Sequence, residues 1–77
     1  MENLNPILSA DKRSIELCYK TIDEEYDNNI FHKVMEIVRK AGLSCTTTKV
    51  TNSRCFHIHG IFPKDVVEAY GDIERLN

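Results

Sequence analysis

Apolar and polar positions alternate most strictly between Cys55 and Phe62. Phe56, Ile58 and Phe62 fall on one side of that run and Cys55, His57 and His59 on the other. Period-two alternation of this kind predicts a half-buried strand, here the central one of a small sheet. Residues 29–41 change to a helical period. Ile30, Val34, Ile37, Val38 and Ala41 form one apolar stripe with Phe31 at its edge, and His32, Lys33, Glu36, Arg39 and Lys40 cover the other side. Gly42 stands where a left-handed C-cap is wanted, with Leu43 placed to fold back on the last turn. Pro63 stops the strand and suits the first turn of a second helix, in which Val66, Ala69, Tyr70, Ile73 and Leu76 share a face. Gly71 weakens that helix and is expected to end or kink it.

The remaining stretches are less sharply patterned. Residues 14–22 fit two templates: a strand with Ile15, Leu17 and Tyr19 facing inward, or a helix with Ile15, Cys18, Tyr19, Ile22 and Tyr26 in a stripe and Ser9 as N-cap. The β-branched and aromatic content favours the strand, and a helix here leaves only a two-stranded hairpin, a poor unit by itself. The acidic run Asp23–Asp27 with Asn28 and Asn29 reads as a solvated connection suited to the positive end of the following helix. Cys45–Val50 is β-prone and Thr51–Arg54 reads as a turn, so 44–62 is a hairpin. Residues 1–11 are expected to be a flexible tail, with Leu8 pinning its end, and residues 12–77 a single domain.

The order strand, helix, strand, strand, helix predicts an α+β fold: a small two-layer β-α-β-β-α sandwich with a three-stranded sheet, a hairpin and both helices on one face. The first strand is expected beside 55–62, joined to the hairpin through a right-handed crossover. That order resembles a ferredoxin-like half lacking its last strand, and such an order is shared by proteins of many functions.

Composition narrows the function classes. At 77 residues, 42% hydrophobic and 29% charged, the chain reads as one folded domain with a small core. The net charge of −2 disfavours a phosphate-driven nucleic-acid binder, though Lys49 and Arg54 with the basic helix end at Arg39 and Lys40 offer a local patch. Neither a signal peptide nor a membrane-length apolar run is visible, which points to a cytoplasmic protein with no membrane partner. Three cysteines, an odd number, then read as reduced thiols, with one bridge left open as an alternative.

Candidate chemistry gathers on the 55–59 strand. Residues two apart on a strand share a face, so Cys55, His57 and His59 line up. Imidazole with thiolate is a zinc-like ligand set, yet Cys55 and His59 stand about 13 Å apart along a strand, too far for one ion. Hairpin register decides whether Cys45 joins them. A loop of two or four residues turns Cys45 to the opposite face, and a three-residue loop brings it to the histidine face. The run from Val34 through Gly42 to His57 resembles, in pattern alone, the helix–hairpin–histidine arrangement of small toxin ribonucleases. The weighed reading has Phe56, Ile58 and Phe62 packing against the helices and the polar residues on an open sheet face.

These residues predict a small binding or regulatory module acting through protein–protein contact as a homodimer, with no enzyme activity, cofactor or resident metal. Thr48, Lys49, Arg54, Cys55, His57 and His59 are its candidate binding residues on the sheet face and hairpin. The alternatives are a nucleic-acid-binding module using the basic helix end and hairpin, and a metal-binding or histidine-dependent enzyme centred on the 55–59 strand.

Overall fold

The computed structural model describes residues 4–77. The α+β class is as expected, but the sheet has four strands and not three. The elements are β1 (Ile7–Leu8), β2 (Ser14–Lys20), α1 (Glu24–Ala41), β3 (Ser44–Val50), β4 (Ser53–His59) and α2 (Pro63–Glu74). The sheet is antiparallel throughout, in the order β1-β2-β4-β3. The extra strand comes from the expected tail. Ile7 and Leu8 pair with Glu16 and Ile15, on the outer side of β2, and take the edge that a ferredoxin-like fold gives to its last strand. Leu4 is buried against the core, and the Asn77 side chain clasps its backbone, accepting from the Leu4 N–H (2.5 Å) and donating to the Leu4 carbonyl (2.9 Å). The first three residues of the expected tail lie outside the described residues.

Residues 14–20 form a strand because one face of the period-two pattern can be buried completely. Ile15, Leu17 and Tyr19 are buried while Glu16, Cys18 and Lys20 are exposed. Ser9, the N-cap of the helical alternative, instead ties the β1–β2 connection, its hydroxyl accepting from the Ser14 N–H at 3.0 Å. The inner residues of β2 meet Phe56 and Ile58 of β4. Ile30, Val34 and Val38 of α1 and Val66, Ala69 and Ile73 of α2 close over them. Both helices therefore cover one sheet face, and removing each large apolar side chain from water stabilises the fold by roughly 1.5–3 kcal/mol.

The helix termini follow sequence chemistry, with one correction. Helix α1 starts at Glu24, not near residue 29, because Asp23 is its N-cap: its carboxylate accepts from the Tyr26 N–H at 2.7 Å. The acidic run is thus the first helical turn and not a solvated connection. At the other end Gly42 adopts φ 70°, the Gly42 N–H donates to the Arg39 carbonyl and the Leu43 N–H to the Val38 carbonyl, a complete Schellman motif. Helix α2 begins at Pro63 as expected, but runs through Gly71 to Glu74.

Strand β4 ends at His59, earlier than the expected 62. Gly60 marks the exit: a Cβ there would lie 2.5 Å from Leu43 Cδ2 and 3.0 Å from Val66 Cγ2, so the backbone passes too close to the core for a side chain. Ile61 and Phe62 consequently leave the sheet and are 79% and 64% exposed, which corrects the expectation that Phe62 packs against the helices. The hairpin turn is Thr51–Asn52 alone, with Ser53 and Arg54 already paired in β4.

Candidate functional site

The two-residue hairpin fixes which candidate residues share a face. Val50 pairs with Ser53, Lys49 with Arg54, Thr48 with Cys55, Thr46 with His57 and Ser44 with His59. Opposed residues lie on the same side of an antiparallel sheet. Thr48, Cys55, His57 and His59 are therefore on the open face as expected, whereas Lys49 and Arg54 turn toward the helices with Cys45. The six candidate residues do not form one surface.

Arg54 and Lys49 converge on Asp27, which the helix start places beneath the hairpin. Arg54 donates through Nε to Asp27 Oδ1 (2.6 Å) and through Nη2 to Oδ2 (2.9 Å). The Tyr19 hydroxyl donates to Oδ1 (2.8 Å), and Lys49 Nζ lies 3.2 Å from Oδ2. Asp27 is only 1% exposed and is the one buried charged residue among the described residues. A bidentate guanidinium is the partner geometry that compensates a desolvated carboxylate best. The Arg54 hydrogen bonds hold the Asp27 carboxyl well below the usual carboxylate range, with Tyr19 and Lys49 acting the same way against the opposing effect of burial. Burial, with Asp27 as neighbour, pushes the Tyr19 hydroxyl above its ordinary range. The Arg54 guanidinium also stacks over Phe31, 4.5 Å from the ring centroid.

This network was missed from sequence, yet two signals for it exist. Asp27 stands three residues before Ile30 and seven before Val34, which puts a carboxylate on the apolar stripe of α1. Arg54 has the parity of Phe56 and Ile58, which puts a guanidinium on the inner face of β4. A charge on each of two converging apolar faces is a pairing signal. The network uses all the polar atoms it buries, since among the described residues no buried side-chain nitrogen or oxygen lacks a hydrogen-bond partner.

The open face carries different chemistry. Cys18 of β2 is directly opposite Cys55 of β4, their Cα atoms are 4.1 Å apart, and the two sulfurs are joined as a disulfide. The bridge corrects the expectation of three reduced thiols. Cys45 alone is free, half-buried on the helix side, and burial pushes its thiol pKa up. Two residues along, Glu16 faces His57 across the β2–β4 pair, with Glu16 Oε1 2.5 Å from His57 Nδ1. The His57 and His59 rings are 5.6 Å apart between centroids. Among the described residues no three His, Cys, Asp or Glu side chains stand together as a metal-holding group.

The sheet's two edges differ. The β1 edge is two residues long, while β3 presents seven residues without proline or bulge on the opposite edge. A Cα separation as short as that of Cys18 and Cys55 marks a non-hydrogen-bonded pair. Alternation along the ladder then turns the Thr48 backbone toward β4 and the backbone N–H groups of Cys45, Thr47 and Lys49 outward. Beside this free edge, between β3 and α1, runs a groove of about 530 Å³ lined by Met35, Val38, Leu43 and Cys45 together with His32, Glu36 and Arg39.

Fold and faces together define a small α+β domain with a one-sided helical layer, an open polar sheet face and one long free edge. Comparison with protein-family models, with curated proteins and with solved structures finds no match. No helix among the described residues is long and apolar enough to cross a membrane.

Proposed function

We propose that the protein is a small protein-contact module that pairs through the free edge of β3 with a second copy of itself. The observation that carries this reading is the seven-residue β3 edge with an apolar groove alongside. Unpaired edge strands recruit other strands unless they are short, bulged, charged or interrupted by proline. The β1 edge is short. The β3 edge has only Lys49, whose ammonium is directed to Asp27.

The β3 sequence is compatible with antiparallel self-pairing about Thr47. Such a register sets Thr47 against Thr47, Thr46 against Thr48 and Cys45 against Lys49. It opposes no like charges and provides threonine pairs, a favourable cross-strand combination. A two-fold axis normal to the sheet keeps both helical layers on the same side, so the two grooves face each other and each covers the Met35 and Leu43 of its partner. The module would act as one continuous sheet of two copies.

The nucleic-acid alternative loses its main support, because Lys49 and Arg54 direct their charge to Asp27 on the helix side. Sedimentation velocity over a wide concentration range tests the dimer. The wild type is expected to sediment as a dimer and Thr47→Pro as a folded monomer, since proline there removes an outward N–H and leaves the β3–β4 ladder intact. A monomeric wild type at all concentrations, or a Thr47→Pro dimer as tight as the wild type, would overturn the reading. Far-UV circular dichroism checks that the variant is folded.

A further inference from the structure

We propose that reduction of the Cys18–Cys55 bridge opens a zinc-class metal site in which both thiolates and His57 are the ligands. While the bridge is closed neither sulfur has a thiolate to offer, and among the described residues no three His, Cys, Asp or Glu side chains form a metal-holding group. Reduction frees both sulfurs at directly opposed positions of β2 and β4. Two sulfurs bound to one tetrahedral zinc at about 2.3 Å stand about 3.8 Å apart. Side chains of a non-hydrogen-bonded pair with Cα atoms 4.1 Å apart reach that separation by rotation about their own side-chain bonds.

The third ligand is placed by the strand. His57 is two residues from Cys55, on the same face and about 7 Å along β4. An imidazole spans that gap to an ion held by the sulfurs. His59, about 13 Å from Cys55 along the strand, does not. Glu16 supplies the outer partner that ligating histidines commonly have. His57 Nδ1 lies 2.5 Å from Glu16 Oε1, and an Nδ1–H donated to that carboxylate would leave the Nε2 lone pair for metal. The His57 and Glu16 side chains are 48% and 55% exposed, so water reaches the fourth position of a tetrahedral ion.

The chemistry balances with a thiol or phosphine reductant. A dithiol transfers two electrons and two protons to the S–S bond and leaves as its own disulfide. A phosphine does the same with one water and leaves as phosphine oxide. Metal binding then displaces the two thiol protons into solvent, so affinity falls as pH falls. The oxidised and metal-bound forms are mutually exclusive, which makes the bridge a gate on the metal.

Cobalt(II) is the probe, used on full-length protein carrying Cys45→Ser so that the free thiol contributes nothing. After phosphine reduction one cobalt per chain is expected, with tetrahedral visible bands and a near-ultraviolet thiolate charge-transfer band. Both are absent before reduction and displaced by zinc. His57→Gln is expected to weaken binding at least about tenfold, while His59→Gln leaves it unchanged. Absence of the charge-transfer band in reduced protein overturns the proposal, as does equal affinity in His57→Gln, or a loss in His59→Gln as large as in His57→Gln. Circular dichroism covers the case in which reduction unfolds the chain: refolding on adding zinc supports the site, and a chain that stays unfolded with zinc overturns it.

Discussion

Replacing Asp27 by asparagine keeps the size of the side chain and removes its charge. The carboxylate accepts two charged hydrogen bonds from Arg54 and one from Tyr19, and it lies 3.2 Å from Lys49 Nζ. Asparagine retains one acceptor oxygen and turns the other position into an NH₂ donor. That donor must then face Arg54 Nη2 and Lys49 Nζ, or, flipped, Arg54 Nε, all of them donors only, with the Tyr19 hydroxyl alone able to turn and accept. The guanidinium is left largely buried, its side chain 14% exposed, without its counter-charge. Breaking one partner of a buried ion pair costs about 3–5 kcal/mol. For a domain of this length total stability is about 4–12 kcal/mol, so Asp27→Asn removes a large part of it and lowers Tm by more than about 10 °C.

Urea titration followed by far-UV circular dichroism, with the disulfide intact in both proteins, measures the loss. The pH dependence gives an independent check. The folded-state pKa of Asp27 is depressed, so its contribution is fully present above the unfolded carboxylate value near ~3.9 and is lost as pH falls below it. Asparagine does not titrate. The stability gap between wild type and Asp27→Asn is therefore wide at pH 7 and narrows as the pH drops below about 4. A gap under about 1 kcal/mol at neutral pH, the value of an exposed pair, would refute the reasoning, and so would a gap that ignores pH. Replacing Asp27 and Arg54 together by leucine and methionine is expected to cost less than the two single changes summed, because no buried charge is then left alone.

Three further changes separate the other claims. Lys49→Ala is expected to cost less than about 1 kcal/mol in the same titration, because the Lys49 side chain is 44% exposed and its pair with Asp27 is screened by water. Leu4→Ala is expected to cost about 2–4 kcal/mol, since Leu4 is buried in the core; a neutral result would return this segment to the tail expected from sequence. Gly71→Ala is expected to stabilise by about 0.5–1 kcal/mol by thermal unfolding, because an added Cβ meets only the Arg75 side chain, at 3.5 Å or more, and Gly71 has ordinary helical backbone.

What was legible in the sequence was the periodic part. The stripes of α1 and α2 and the alternation of β4 depend on neighbours within a few residues, and burial rewards that pattern wherever the partner element lies. The Gly42 cap and the Pro63 start are local in the same way. The illegible parts are those in which a distant partner decides. Ile7 and Leu8 become a strand only because β2 offers an unpaired edge, and Leu4 is held by Asn77, 73 residues away. Asp27 and Arg54 each stand on an apolar face in the sequence, but only the fold brings those faces together across 27 residues of chain. The site residues divided for a related reason. Lys49 and Thr48 are neighbours in sequence but a sheet's thickness apart in environment, and only the length of the hairpin turn sets which of them faces the helices.

Arg54 and Cys55 show why that register is secure. They are consecutive on β4 and point to opposite faces, and each has one specific partner: Asp27 under the sheet and Cys18 above it. A slip of β4 by one residue against β2 would turn Cys55 toward the core and set Arg54 on the open face, breaking both at once. The two locks are chemically independent. Reduction opens the disulfide but leaves the Asp27 carboxylate and the Arg54 guanidinium untouched; acid protonates Asp27 but leaves the disulfide. Under reducing conditions the ion pair, together with the buried Ile15, Leu17, Phe56 and Ile58, still holds that register, so Cys55 stays opposite Cys18 with His57 two residues along. The buried network on one face thus preorganises the proposed metal ligands on the other, so Asp27→Asn should weaken cobalt binding by the reduced protein through loss of register, although Asp27 lies on the opposite side of the sheet from the metal.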